Sequence, residues 1–168
     1  MCRAYCVKKL TQYASRDTKI GAKVTREEIV TGIKNKFGNR IKKFYDKSAK
    51  RIYIYIERED IVDFTKFVFK EMGARFNTAT AADHSGDIEI MYHFDFDRLG
   101  LIVTLRIYVP KTKCEVESIT PIMSGAEWIE REMHELFGVK FKNHPNLKPL
   151  LLPDDWPKDK YPLRKEYK

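Results

Sequence analysis

From Ile88 to Val109 the side chains change character at every second residue. Ile88, Ile90, Tyr92, Phe94 and Phe96 fall on one side of an extended chain, with Glu89, Met91, His93 and Asp95 on the other. After the turn residues Asp97 to Gly100, the same period returns in Leu101, Val103, Leu105, Ile107 and Val109. A helix brings residues back to one side every three or four positions, so this spacing demands two long strands. Their apolar side must be covered, and a one-residue slip would turn it to water. This segment is therefore a hairpin of a sheet, and a chain of 168 residues is long enough to bury a core.

The coverings are legible on either side. Thr25-Arg26-Glu27-Glu28 forms a capping box ahead of Ile29, Val30, Ile33 and Phe37, and Gly38 ends that helix. Ile41 to Tyr45 pairs across the turn Asp46 to Lys50 with the alternating run Ile52, Ile54, Ile56. A second helix starts at Asp60 and keeps Ile61, Phe64, Val68 and Met72 on one face until Gly73, and a short strand spans Arg75 to Thr80. Ser124-Gly125-Ala126-Glu127 reads as another capping box, opening a helix closed by Gly138. Its stripe is Ala126, Ile129, Met133, Leu136 and Phe137, which leaves Trp128 off the core beside Glu132 and Glu135. Glu127 and Arg131 stand four apart in the order that favours surface pairing. Helices separated by hairpins define an α+β fold, a mainly antiparallel mixed sheet with about three helices packed on it. The domain occupies 1–138, and an extended proline-rich C-terminal tail occupies 139–168.

That tail contradicts the usual composition of loose ends. Pro145, Pro149, Pro153, Pro157 and Pro162 exclude helix and central strand, yet Leu147, Leu150, Leu151, Leu152, Trp156, Tyr161 and Leu163 are strongly apolar. A stiff apolar segment loses little entropy on ordering and must lie against a surface. That surface is either the domain's own body or a partner; the partner is favoured, because exposed apolar strips mark interaction sites. A chain of this kind is expected to aggregate when alone.

The net charge of +8 is local. Lys34, Lys36, Arg40, Lys42, Lys43, Lys47, Lys50 and Arg51 face only Asp46, and the rest of the chain holds 24 basic against 23 acidic residues. This patch is either a solvated helix end and hairpin face or a site for an anionic partner. No apolar run approaches the length of about 18 residues needed to cross a bilayer, and Met1 to Val24 has no signal-peptide pattern. Cys2, Cys6 and Cys114 lack the spacing of a zinc or iron–sulfur site. Gln12 is the only glutamine in a chain rich in Lys, Arg and Glu, a bias shared with proteins of thermophiles.

Glu130-Arg131-Glu132-Met133-His134-Glu135-Leu136-Phe137-Gly138-Val139 resembles the E-R-E-x-x-[DE]-h-F-G-h signature of the 30 kDa subunit of respiratory complex I, an NADH dehydrogenase. That family is shared with related membrane-bound hydrogenases and sulfur-reducing complexes. His144-Pro145, Leu150-Leu151-Leu152-Pro153-Asp154-Asp155-Trp156 and Tyr161-Pro162-Leu163-Arg164-Lys165 continue the resemblance in order, so it spans about Pro121 to Lys165. The resemblance implies a noncatalytic peripheral-arm subunit on the cytoplasmic face of a membrane complex. It would dock on the hydrogenase-like large subunit near the small iron–sulfur subunit, with no membrane insertion of its own. It would support electron transfer from ferredoxin or NAD(P)H and ion translocation. Iron–sulfur clusters, and in some relatives nickel–iron, would belong to those partners, none to this chain. By the same resemblance Glu130, Arg131 and Glu132 would anchor the helix and its junction with the tail. Trp128, off the core stripe, points to a second buried surface on a partner, and Glu135 belongs with these partner-binding residues. The segment from His144 to Arg164, with Leu150, Leu151, Leu152, Pro153, Trp156, Pro162 and Leu163, would drape over the large subunit. Asp154 and Asp155 would meet backbone N–H groups there, and Arg164 a carboxylate.

Two rival readings use other residues. Glu130, Glu132, His134, Glu135 and His144 lack the paired histidines of an H-E-x-x-H metal site, which argues against an intrinsic metalloenzyme. A nucleic-acid-binding module would combine the basic patch with Tyr45, Tyr53 and Tyr55, although strand tyrosines alternating with isoleucines are ordinary sheet residues.

Overall fold

The computed structural model describes residues 24–167. Helix α1 (Arg26–Phe37) begins with the expected reciprocal cap. Thr25 Oγ1 accepts from the Glu28 N–H at 3.3 Å, and the Thr25 N–H donates to Glu28 Oε2 at 2.8 Å. Strands β1 (Ile41–Ser48) and β2 (Arg51–Ile56) form the basic hairpin. Helix α2 (Ile61–Thr65) widens into a π-helical stretch over Lys66–Glu71, where the Met72 N–H reaches back to the Phe67 carbonyl. Strands β3 (Arg75–Asp83), β4 (Asp87–Phe96) and β5 (Leu101–Pro110) follow; β3 is longer than its sequence suggests.

The five strands lie in the order β1-β2-β5-β4-β3. All neighbours are antiparallel except β2 and β5, which run parallel because α2, β3 and β4 intervene between them. The alternation predicted for β4 and β5 holds: Ile88, Ile90, Tyr92, Phe94, Val103, Leu105, Ile107 and Val109 are all fully buried. Ile29, Ile33 and Phe37 from α1 and Ile61, Phe64 and Val68 from α2 close over that face, with the Phe37 and Phe64 rings stacked at 3.9 Å. Each buried side chain of this kind contributes about 1.5–3 kcal/mol of transfer free energy.

Helix α3 (Glu127–Phe137) differs from expectation at its start. Ser124–Ala126 winds into a tight 3-10 turn, and no side chain caps the helix, so the second capping box does not form. Strands β6 (Glu115–Glu117) and β7 (Lys140–Lys142), which sequence spacing did not reveal, pair in parallel and flank this helix in the chain. Past β7 the described residues form neither helix nor strand. It is a string of turns rather than one extended strap, closing at Pro153–Trp156, Pro157–Lys160, Tyr161–Arg164 and Arg164–Tyr167. Among the described residues no helix is long and apolar enough to cross a membrane.

Candidate docking site

Helix α3 carries three carboxylates of the predicted site, and each meets a different environment. Glu130 is fully buried. One oxygen accepts from the Ile119 N–H at 2.9 Å and the Tyr92 hydroxyl at 3.3 Å; the other accepts from Thr120 Oγ1 at 2.9 Å and from Ser118 Oγ. Burial pushes its carboxyl above the usual range, and the Ser118, Ile119 and Thr120 donors oppose that shift. The same burial, together with Glu130, raises the Tyr92 phenol well above its ordinary value. Glu130 therefore ties α3 to the 118–120 loop and to the central strand, and it presents nothing to a partner.

Glu135, on the opposite side of the helix and 7% exposed, collects the tail. Its carboxylate accepts from three successive peptide N–H groups, those of Leu150, Leu151 at 2.6 Å and Leu152 at 2.9 Å. Charge-assisted bonds of this kind are about twice as strong as neutral ones. Arg131 takes the preceding carbonyls, donating to Lys148 O at 2.9 Å and Pro149 O at 2.7 Å. The predicted surface pairing of Arg131 with Glu127 is absent; the guanidinium finds two fixed carbonyls instead. Glu132 is half-buried and makes no hydrogen bond or ion pair with any described residue.

His144 fixes where the tail turns onto the helix. Its side chain is fully buried, Nε2 donates to Glu127 O at 3.1 Å, and Nδ1 accepts from the Asn146 N–H at 3.1 Å. That pair of bonds requires the proton on Nε2, and the same nitrogen lies 4.0 Å from Glu130. The far end is tied as firmly. Arg164 donates to Phe137 O at 2.7 Å, the Leu163 N–H to Leu136 O at 3.1 Å, and the Lys165 N–H to Asp83 at 2.6 Å. Lys111 bridges Asp83 at 2.6 Å and Glu166 at 2.5 Å. Gly138, at φ +73°, lets Tyr161 lie against the helix end: a Cβ there would stand 2.5 Å from the ring.

The tail's main chain is thus held by its own domain, one of the two surfaces its composition allowed. The side chains behave differently. Trp128 is 66% exposed, Leu151 62% and Leu163 52%. Leu150, Leu152, Trp156 and Pro162 are half-buried, whereas Pro153, Asp154 and Asp155 are exposed. Trp156 donates to Lys160 O at 2.8 Å, while Asp154 and Asp155 bond no described residue. Arg164, predicted to face a partner carboxylate, is occupied by its own helix end and lies 4.5 Å from the Tyr161 ring centre. His134, also weighed as a metal ligand, bonds the Val139 carbonyl at 2.9 Å.

The sequence does not single out Ser118, Ile119, Thr120 and Tyr92 as partners of Glu130. A tyrosine on the buried side of a strand must find an acceptor, which was the one available signal. Among the described residues no group of three or more His, Cys, Asp or Glu is placed to hold a metal ion. Cys2, Cys6 and Gln12 lie outside the described residues; Cys114 is half-buried, and burial raises its thiol.

The fold and site define an α+β domain whose terminal ribbon is fastened to its own last helix and shows its leucines outward. Residues 54–168 match the model of the respiratory-chain NADH dehydrogenase 30 kDa subunit, and the chain belongs to that family. It is 31% identical to the C subunit of the F(420)H(2) dehydrogenase of Methanosarcina mazei, over 83% of this chain and 89% of that protein. It is equally 31% identical to the C subunit of the NADH-quinone oxidoreductase of Citrifermentans bemidjiense, over 82% and 86% of the two chains. Among solved structures it resembles a chain of the membrane-bound sulfane sulfur reductase, an archaeal respiratory membrane complex, at TM-score 0.76 and 26% identity, covering 84% of this chain and 85% of that one.

Proposed function

We propose that this chain is a noncatalytic scaffold on the peripheral arm of a complex I-like, ion-translocating membrane oxidoreductase. It docks through the ribbon and Trp128 on the hydrogenase-like large subunit, beside the small iron–sulfur subunit, on the cytoplasmic face. The clusters, and any nickel–iron centre, belong to those partners. The observation that carries this reading is the division of labour in the ribbon. Its peptide groups at 148–152 are bonded by Glu135 and Arg131, and Arg164 ties its far end to the Phe137 carbonyl of the helix, while Trp128, Leu151 and Leu163 face outward. Exposed apolar side chains on a rigid backbone form a preorganised contact that loses little entropy on binding. Donors of electrons in such an assembly would be ferredoxin or NAD(P)H. The likeness to the sulfane sulfur reductase chain supports a second form of the reading, in which the assembly is an archaeal hydrogenase or sulfur reductase rather than a quinone reductase.

The test is affinity purification of the membrane complex through a tag on this chain, with identification of the accompanying chains by mass spectrometry. The unaltered chain is expected to bring the large and small subunits with it, and Leu151→Asp with Leu163→Asp to lose them. Retention by the double variant, or a solitary unaltered chain, would overturn the reading.

A further inference from the structure

The face of the sheet opposite the helices carries a second, chemically different surface. The pairing register places Lys43 beside Tyr55, Tyr45 beside Tyr53, Tyr53 beside Thr104 and Tyr55 beside Arg106, all on the side away from the core. Tyr45 and Tyr53 lie nearly parallel with ring centres 6.1 Å apart, and Tyr55 and Tyr108 do the same at 6.5 Å. Arg106 sits over both Tyr53 (5.4 Å) and Tyr55 (4.6 Å), Lys43 over Tyr55 (5.6 Å) and Lys47 over Tyr53 (5.7 Å). Glu89, 3% exposed, holds Arg106, and His84 lies 3.2 Å from that carboxylate.

The basic cluster divides on this geometry. Lys36, Arg40 and Lys42 are paired with Glu71, Asp60 with Asp63, and Glu57 respectively. Lys43, Lys47 and Arg51 have no carboxylate partner among the described residues, and all three are exposed on the tyrosine face. Of the other acids of that face, Asp95 is paired with Arg75, and Asp87 stands at its edge at the start of β4.

We infer that this face docks an acidic, extended segment of a protein partner, a contact separate from the ribbon. The positive surplus calls for a negative occupant. Nucleic acid would need free ring faces on which bases stack, and here the faces of Tyr53 and Tyr55 are taken by cations and neighbouring rings. Tyr45 and Tyr108 are exposed beside them, and the charge this face offers is a row of ammonium and guanidinium groups, which suits carboxylates. The chain's own residues 1–23 hold Arg3, Lys8, Lys9, Arg16, Lys19 and Lys23 against Asp17, so like charge disfavours them, as it disfavours a second copy.

The experiment measures binding of fluorescein-labelled deca-glutamate to the full chain at low salt, beside labelled deca-uridylate. Reversal of Lys43, Lys47 and Arg51 to Glu is expected to weaken deca-glutamate binding by about tenfold or more, and reversal of Lys66, Lys70 and Lys140 by less than about threefold. If the reversed chain does not fold, the Lys43→Gln, Lys47→Gln, Arg51→Gln variant takes its place with the same comparison. Equal losses in the two triple variants, no binding of deca-glutamate, tighter binding of deca-uridylate, or a tenfold gain on deleting residues 1–23 would each overturn the inference.

Discussion

The body of the molecule and its ribbon use polar and apolar side chains in opposite ways. In the sheet and its two covering helices, backbone groups bond one another and apolar side chains turn inward, as Ile90, Phe94 and Leu105 do. In the ribbon no ladder forms; charged side chains from α3 bond the backbone, and Leu151 and Leu163 turn outward. Proline explains the exchange. It removes N–H groups and forbids regular pairing, so backbone order has to come from carboxylate and guanidinium partners. A segment ordered that way keeps its apolar side chains free for something else.

If the body depends on buried order, removing its buried anchor should cost most. Glu130→Ala would strand the Ser118, Ile119, Thr120 and Tyr92 donors. The expected loss is about 3–5 kcal/mol, seen as a fall in Tm of roughly 6–20 °C for a chain of this size. Glu135→Ala should act on the ribbon instead, costing about 2 kcal/mol locally and opening 148–165 to protease while the body melts almost unchanged.

A pH titration probes the buried Glu130 further. The Glu130 carboxyl is raised in the folded state, so between its unfolded value and its folded one the folded chain binds more protons than the unfolded chain. Stability contributed by this group therefore falls as pH rises through the window above 4.5. Glu130→Gln lacks that titration, and the advantage of the unaltered chain over it should shrink across the same window in urea melts. The smallest effect is expected at Trp128. Being 66% exposed, its replacement by alanine should move the stability of the isolated chain by less than about 0.5 kcal/mol. The same variant should weaken co-purification of the complex.

How far the sequence reaches differs between the two regions in the same way. The α1 cap and the β4–β5 hairpin were readable because local periodicity and turn residues decide them. The parallel contact of β2 with β5 was not, since nothing local marks which strands become neighbours after a long crossover. The motif carried by α3 singles out Glu130, Arg131 and Glu135 without revealing that the groups they bond lie within the chain. A carboxylate in sequence looks the same whether it meets water, a neighbour or three peptide N–H groups. The Ser124 cap failed for a local reason: the 3-10 turn draws Ala126 into the core, and the serine side chain caps nothing.

Amide hydrogen exchange on the isolated chain tests most directly whether the ribbon is shaped before it meets a partner. The N–H groups of Leu150, Leu151 and Leu152 should exchange about tenfold or more slowly in the unaltered chain than in Glu135→Ala. Equal, fast exchange in both would contradict a ribbon fastened to its own helix.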